Sequence, residues 1–187
     1  MLKARRDGTL SRDRLVDAAT RVLTLKYRLA DWPAPAPSAI GSAAHREAAQ
    51  RLAAAAITQF RGVCGQAIRG PITVTASAGR DSTRQALIEE LRARGARVVA
   101  RGGTKVHLVG YGDSARDLSD DAAVTVAMDT PHVLAAATSP TLLATYSSSR
   151  ASMSALAAVL TGQATAPGRA PVTVPGLPES SCVRAPS

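Results

Sequence analysis

Aromatic side chains are scarce in this sequence, with one Phe, one Trp and three Tyr among 187 residues. A core must therefore be filled by Ala, Val, Leu and Ile. Basic segments interleaved with aromatics, which stack nucleobases, are also missing. No run of about 18 apolar residues occurs, so no membrane-spanning helix is expected. The first residues carry charge with no hydrophobic stretch behind it, so no signal peptide is expected on this chain. Cysteine occurs twice, at Cys64 and Cys182, and never as C-x-x-C. That spacing removes zinc-ribbon and thioredoxin readings and leaves open either one long-range disulfide or two separate thiols. The three histidines, His45, His107 and His132, stand at no ligand spacing from one another or from cysteine or carboxylate. No metal and no cofactor is therefore expected. Neither G-x-G-x-x-G opening a helix nor a Walker A sequence is present, which argues against dinucleotide and nucleotide binding.

Charge of one sign is in excess. Lys and Arg number 23 against 14 Asp and Glu, a formal net charge of +9. Such a balance raises nucleic-acid or anionic-surface binding as a reading. The basic residues are 20 Arg and 3 Lys, scattered, with no run longer than Arg5-Arg6. With 38 alanines beside them, they read as the codon bias of a GC-rich gene, and specific nucleic-acid binding is not expected. The length suits one domain of ordinary size with an appendage. It is too short for an eight-fold α/β barrel, which takes about 200 residues at least.

Residues 11–29 read as an amphipathic helix. Ser11 suits the N-cap and Asp13 the first turn. Leu15, Ala18, Val22, Leu25 and Leu29 recur at spacings of three and four, widened by Val16, Ala19 and Leu23. The segment Asp31-Trp32-Pro33-Ala34-Pro35-Ala36-Pro37-Ser38 then reads as an extended Pro/Ala linker that excludes helix. An apolar helix thus precedes a linker with nothing of its own to pack on. We place the terminal helix in residues 1–31, the linker in 32–44 and an α/β domain with a Pro/Gly-rich tail in 45–187.

Within that domain the pattern predicts helix over 43–55, strand over Ile57 to Arg61, strand over Pro71 to Thr75, and helix from Asp81 to Arg94 stopped by Gly95. A strand over Ala96 to Ala100, Gly102-Gly103, and a strand over Lys105 to Val109 read as a hairpin. Ala122 to Met128 is a nearly continuous apolar strand, as in a sheet covered on both faces. A short helix over Pro131 to Ala137, a strand over Thr141 to Tyr146 and a helix capped by Ser149 and ended by Gly162 follow. Val172 to Val174 reads as extended. The fold class is a three-layer α/β sandwich with a mainly parallel sheet.

Candidate chemistry is sparse. Thr75-Ala76-Ser77-Ala78-Gly79 resembles a nucleophile elbow after a strand but has Thr where the elbow has Gly, so Ser77 reads better as a polar turn. Asp113, Asp117, Asp120 and Asp121 share one loop, suited to a cation or an acid pair, or simply to solvent. Asp129, at the end of a strand, stands where α/β folds place ligands. Ser77 and Asp129 are the weak ligand-binding candidates; no catalytic constellation is complete.

Two ends of the sequence resemble glycoside hydrolase family 3. The segment GTLSRDRLVDAATRVLTLK, Gly8 to Lys26, resembles the closing barrel helix of that family, before its Pro-containing linker. Ala144-Thr145-Tyr146-Ser147, then Ala151 to Gly162, then Pro167 to Pro175, resemble the end of its second domain. Val124-Thr125-Val126-Ala127-Met128-Asp129-Thr130-Pro131 resembles the strand end between them. The likeness runs in order over about residues 8–176 and is nearest to the two-domain, actinobacterial-type β-N-acetylhexosaminidases.

The resemblance implies that the chain is the C-terminal domain of a parent enzyme releasing terminal N-acetylglucosamine. It also implies that the helix bearing Leu15, Val22, Leu25 and Leu29 packs on an N-terminal barrel. In that family the Asp nucleophile and the His–Asp acid/base pair lie in the barrel, and the segment K-H-x-P-G-H is not in these residues. No catalytic residue is carried over, and the chain alone is expected to be inactive. The related enzymes are exported, which implies an extracellular or cell-envelope location and a Cys64–Cys182 disulfide. Two rival readings stand beside this one: a free-standing ligand-binding module with its ligand near Ser77, Gly110 and Asp129, and a basic nucleic-acid binder.

Overall fold

The computed structural model describes residues 1–182. The chain divides into two compact units, Met1–Ser42 and Ala43–Ser187. The first unit holds a short helix α1 (Leu2–Arg6), the long helix α2 (Arg12–Ala30) and a 3-10 turn at Pro37–Ala39. Ser11 caps α2 as its sequence suggests: the hydroxyl oxygen accepts from the Arg14 amide at 3.1 Å. No residue of α2 is buried. The linker expected to exclude helix holds a 3-10 turn at Pro37–Ala39. Proline at the first position of a turn has no amide hydrogen to waste, so it starts the turn and does not forbid it.

The second unit runs α3 (Ala43–Ala56), β1 (Thr58–Arg61), β2 (Ile72–Ala76), α4 (Asp81–Ala93), β3 (Thr104–Val109), β4 (Val124–Ala127), β5 (Thr141–Ala144) and α5 (Arg150–Leu160). Short 3-10 turns stand at Ala115–Asp117 and Pro131–Ala136. The five strands form one sheet in the order β1-β5-β4-β3-β2. Strands β2 to β5 are parallel, and β1 joins β5 antiparallel with an irregularity between Gln59 and Arg61. This is the mainly parallel α/β sandwich the sequence pattern implies.

Alternate residues of each strand face opposite ways, and the two faces carry different cores. Ile72, Val74, Val106, Leu108, Val124, Val126 and Leu143 meet Leu87, Ile88 and Leu91 of α4 and Met153, Leu156 and Leu160 of α5. The other face is apolar only toward β5. There Val109, Ala127, Leu142 and Ala144 pack with Phe60, Leu134 of the second 3-10 turn and Val174 of the tail. The layers are therefore helices, sheet, and a layer of short turn and tail. All four residues of β4 are buried, which is why it reads as a continuous apolar run.

The hairpin expected over Ala96 to Val109 does not form. β3 pairs parallel with β2, Ile72 opposite Thr104. Residues 96–100 contribute a single parallel bridge, Val98 to Ile72, on the outer side of β2. Gly102 and Gly103, at φ +79° and +74°, turn the chain past the start of β2. A Cβ on Gly103 would lie 2.2 Å from the Pro71 carbonyl oxygen, so only glycine fits that crossing. Residues 172–174 likewise form no strand, although Val174 is buried.

The tail closes against β1. The Gly168 amide donates to the Ile57 carbonyl at 2.8 Å, and the Ser181 amide to the Gln59 carbonyl at 2.6 Å. These bonds cover the outer edge of an edge strand, which otherwise invites pairing with another chain. Cys64 and Cys182 are joined in a disulfide, with Cα atoms 5.2 Å apart.

Candidate functional site

The carboxyl ends of β2, β3 and β4 gather most of the residues singled out in the sequence. Ser77 follows β2, its amide bonded to the Leu108 carbonyl at 3.0 Å. Its hydroxyl donates to Asp113 Oδ2 at 2.5 Å, and the Gly110 amide donates to the same oxygen at 2.6 Å. Asp129 follows β4 and accepts the Tyr111 amide on Oδ2 at 2.8 Å. Arg80 closes the group. Its Nη2 donates to the Tyr111 carbonyl at 2.5 Å and lies 3.9 Å from Asp113 Oδ1. Arg80 carried no signal in the sequence; it stands before α4 and reaches a loop some thirty residues on.

Gly110 is buried and its φ is not positive, so its role is space. A Cβ there would meet the Arg80 guanidinium carbon at 2.8 Å. The loop Gly110–Asp113 is thus held by a serine, an arginine and two aspartates. Its tip, Tyr111, is 76% exposed. Ser77 spends its hydroxyl on Asp113, and among the described residues no histidine bonds to it, so it is not set up as a nucleophile.

The four carboxylates of the 113–121 loop do not converge. Asp113 turns to Ser77. Asp117 forms a capping box with Ser114, whose amide and hydroxyl hold the Asp117 carboxyl below the usual range. Asp121 is also lowered, by the Lys105 ammonium first and the Ser119 hydroxyl second. Asp120 is exposed. Among the described residues no group of three or more His, Cys, Asp or Glu is placed to hold a metal ion.

His107 lies on the polar part of the open sheet face, 7% exposed. Its Nε2 is 2.8 Å from the Asp117 carbonyl, which can only accept, so Nε2 carries the hydrogen. Nδ1 then accepts from the Thr75 hydroxyl at 2.9 Å. Both ring nitrogens are satisfied, as for a structural histidine. His132 is exposed at the second 3-10 turn, and His45 lies on α3.

Tyr146, just past β5, gave no chemical signal in the sequence. It is the one non-glycine residue with positive φ among those described, at 54°, a region bulky side chains rarely adopt. Its hydroxyl donates to Thr58 Oγ1 at 3.1 Å, and burial pushes its pKa up.

No protein-family model matches this chain, and no curated protein matches it in sequence. Solved structures do match its fold. A glycoside hydrolase family 3 β-N-acetylglucosaminidase from Paenibacillus sp. str. FPU-7 aligns with a TM-score of 0.58 at 23% identity, over 89% of this chain and 40% of that one. The β-glucoside phosphorylase BglX aligns at 0.59 and 20% identity, over 92% and 40%. A fungal multi-domain GH3 β-N-acetylglucosaminidase aligns at 0.60 and 16% identity, over 99% and 26%. The fold fits the C-terminal α/β sandwich of glycoside hydrolase family 3 enzymes, and the chain spans less than half the length of each of these structures. At such identities the likeness carries architecture and not activity: one neighbour is a glucosaminidase and another a phosphorylase.

Proposed function

We propose that this chain is the non-catalytic C-terminal domain of a glycoside hydrolase family 3 β-N-acetylhexosaminidase, whose barrel removes terminal N-acetylglucosamine. The observation that carries the reading is α2. It precedes the α/β unit in the chain and buries none of its residues, yet Leu15, Val22, Leu25 and Leu29 share one side at helical spacing, the last three more than half exposed. The order of a helix like the family's closing barrel helix, a proline linker and an α/β sandwich is that of the sequence resemblance. The 40% coverage of the Paenibacillus structure leaves room for a barrel outside the matched part. The occupant of the α2 stripe is therefore that barrel. The Cys64–Cys182 disulfide supports an extracellular or cell-envelope location, since disulfides persist in oxidising compartments.

The polar cluster at the strand ends supports the non-catalytic part. Asp113 and Asp129 each bind a backbone amide of the Gly110–Asp113 loop, a positioning task. The 187-residue chain is expected to give no turnover of an aryl N-acetylglucosaminide above the uncatalysed rate, followed by release of the chromophore. Turnover that Asp113→Asn, Asp120→Asn or Asp129→Asn abolishes would place the acid chemistry in this domain and sink the proposal.

A further inference from the structure

We propose that the cavity bounded by the β1–β2 loop binds a small carboxylate with an apolar body, its oxygens held by Gln59 and Arg69. The cavity, about 310 Å³, lies at the amino ends of β3, β4 and β5. This is the end of the parallel strands opposite the Ser77 cluster. Thr104, Val124 and Thr141 line it from those strand starts, and Val159 and Leu160 from the end of α5. Val63 and residues 66–69 of the loop complete the lining. The loop is fastened in place. The Ile68 amide donates to the Leu160 carbonyl at 2.8 Å, and Cys64 is bridged to Cys182. A wall held in this way stands before a ligand arrives, so binding orders little of the chain.

Gln59 is the residue that calls for an occupant. It is 3% exposed, and its side-chain nitrogen is buried with no hydrogen-bond partner among the described residues. A buried amide donor left unpaired is costly until an acceptor meets it. Gln59 stands opposite Leu143 across β1 and β5, and Leu143 belongs to the helix-covered face. Both residues line the cavity. Thr141 lies two residues before Leu143 and so on the same face. Glycine at position 62 leaves open the space beside Thr141 Oγ1 and Gln59 Nε2. Arg69 is exposed and, among the described residues, pairs with no carboxylate. No Asp or Glu lines the cavity. One buried N–H donor, one free guanidinium and no acid select an anion with acceptor oxygens. Ile68, Leu143 and Leu160 select an apolar remainder. A carboxylate on a short hydrocarbon body joins the two, and the volume stands at the small end of small-molecule sites, about 300 Å³. This site goes beyond the family reading, which survives if no carboxylate binds.

The test is NMR titration of the 187-residue chain with hexanoate and, separately, with 1-hexanol, hexylamine and inorganic phosphate. The expected result with hexanoate is saturable shifts in the Gln59 side-chain amide and the methyl groups of Leu143 and Leu160. The same shifts with 1-hexanol need at least about tenfold more ligand, as for the loss of a charge-assisted hydrogen bond. Hexylamine and phosphate give none. Gln59→Leu removes the donor and weakens hexanoate about tenfold. Arg69→Gln, a change at an exposed position, weakens hexanoate several-fold and leaves 1-hexanol unchanged. Absence of saturable shifts with hexanoate overturns the proposal. So does 1-hexanol binding as tightly as hexanoate, which would make the cavity a simple apolar hollow. Phosphate binding as tightly as hexanoate would make it a bare anion site and overturn it too. Equal hexanoate binding by Arg69→Gln, with an otherwise native spectrum, overturns it even if Gln59→Leu fails to fold.

Discussion

Reduction of the Cys64–Cys182 disulfide is expected to lower the stability of the α/β domain by about 4 kcal/mol. The bridge joins residues 118 apart. A cross-link closing a loop of about 100 residues removes roughly 4.7 kcal/mol of unfolded-state freedom in the chain-entropy model, and native bridges removed from small domains cost about 2–5 kcal/mol. Besides the bridge, Gly168 gives its amide to Ile57, Ser181 gives its amide and hydroxyl to Gln59, and Arg169 pairs with Glu179 at 2.7 Å on the surface. Ala166 is buried in the first core cluster, and Val174, with Ala170 and Leu177, packs in the second. With the bridge open, the β1 edge and Phe60 lose cover before the helix-covered core does. Urea denaturation with and without reductant measures the difference, and the pair Cys64→Ser with Cys182→Ser repeats it without reductant. Hydrogen exchange places the loss: amides of Gly168 and Ser181 exchange faster in the reduced protein, while those of β3 and β4 keep their order of protection. Unchanged stability on reduction would mean that the tail is held by its other contacts alone.

The second large effect concerns α2. The isolated chain is expected to self-associate through this helix, because contiguous apolar patches of several hundred Å² are rare on monomers. Val22→Asp with Leu25→Asp puts two charges into the stripe at positions each more than half exposed, so helix content stays the same. The double variant is expected to sediment as a monomer at concentrations where the unaltered chain does not. A monomeric unaltered chain, or a double variant that associates just as strongly, removes α2 as a contact surface.

Much of the fold is legible because local signals and burial agree. Ser11 and Ser149 cap α2 and α5 through hydroxyls that accept from Arg14 and Ser152, and the apolar run of β4 is buried on both faces. The hairpin over 96–109 misleads because two apolar runs around Gly102-Gly103 look alike whether they pair with each other or with β2. The choice is made by Ile72, which offers its amide and carbonyl to Arg97 and Val99 on the outside. Asp129 and Ser77 are legible as strand-end residues. Their partners are not, because Asp129 meets the Tyr111 amide and Ser77 meets Asp113 only once β2, β3 and β4 are aligned. Arg80 is invisible for the same reason, and nothing in the sequence shows that Gly110 leaves room for a guanidinium to approach. Tyr146 is missed because nothing in a sequence marks a tyrosine for positive φ.

The size of the native polypeptide tests the central proposal most directly. An antibody raised against the α/β domain, applied to the secreted and envelope fractions of the source cells, detects every polypeptide that carries this sequence. The account predicts one species more than twice the 19.2 kDa of this chain, which hydrolyses an aryl N-acetylglucosaminide when purified. A single species of 19.2 kDa, with no larger polypeptide in any fraction, would contradict it.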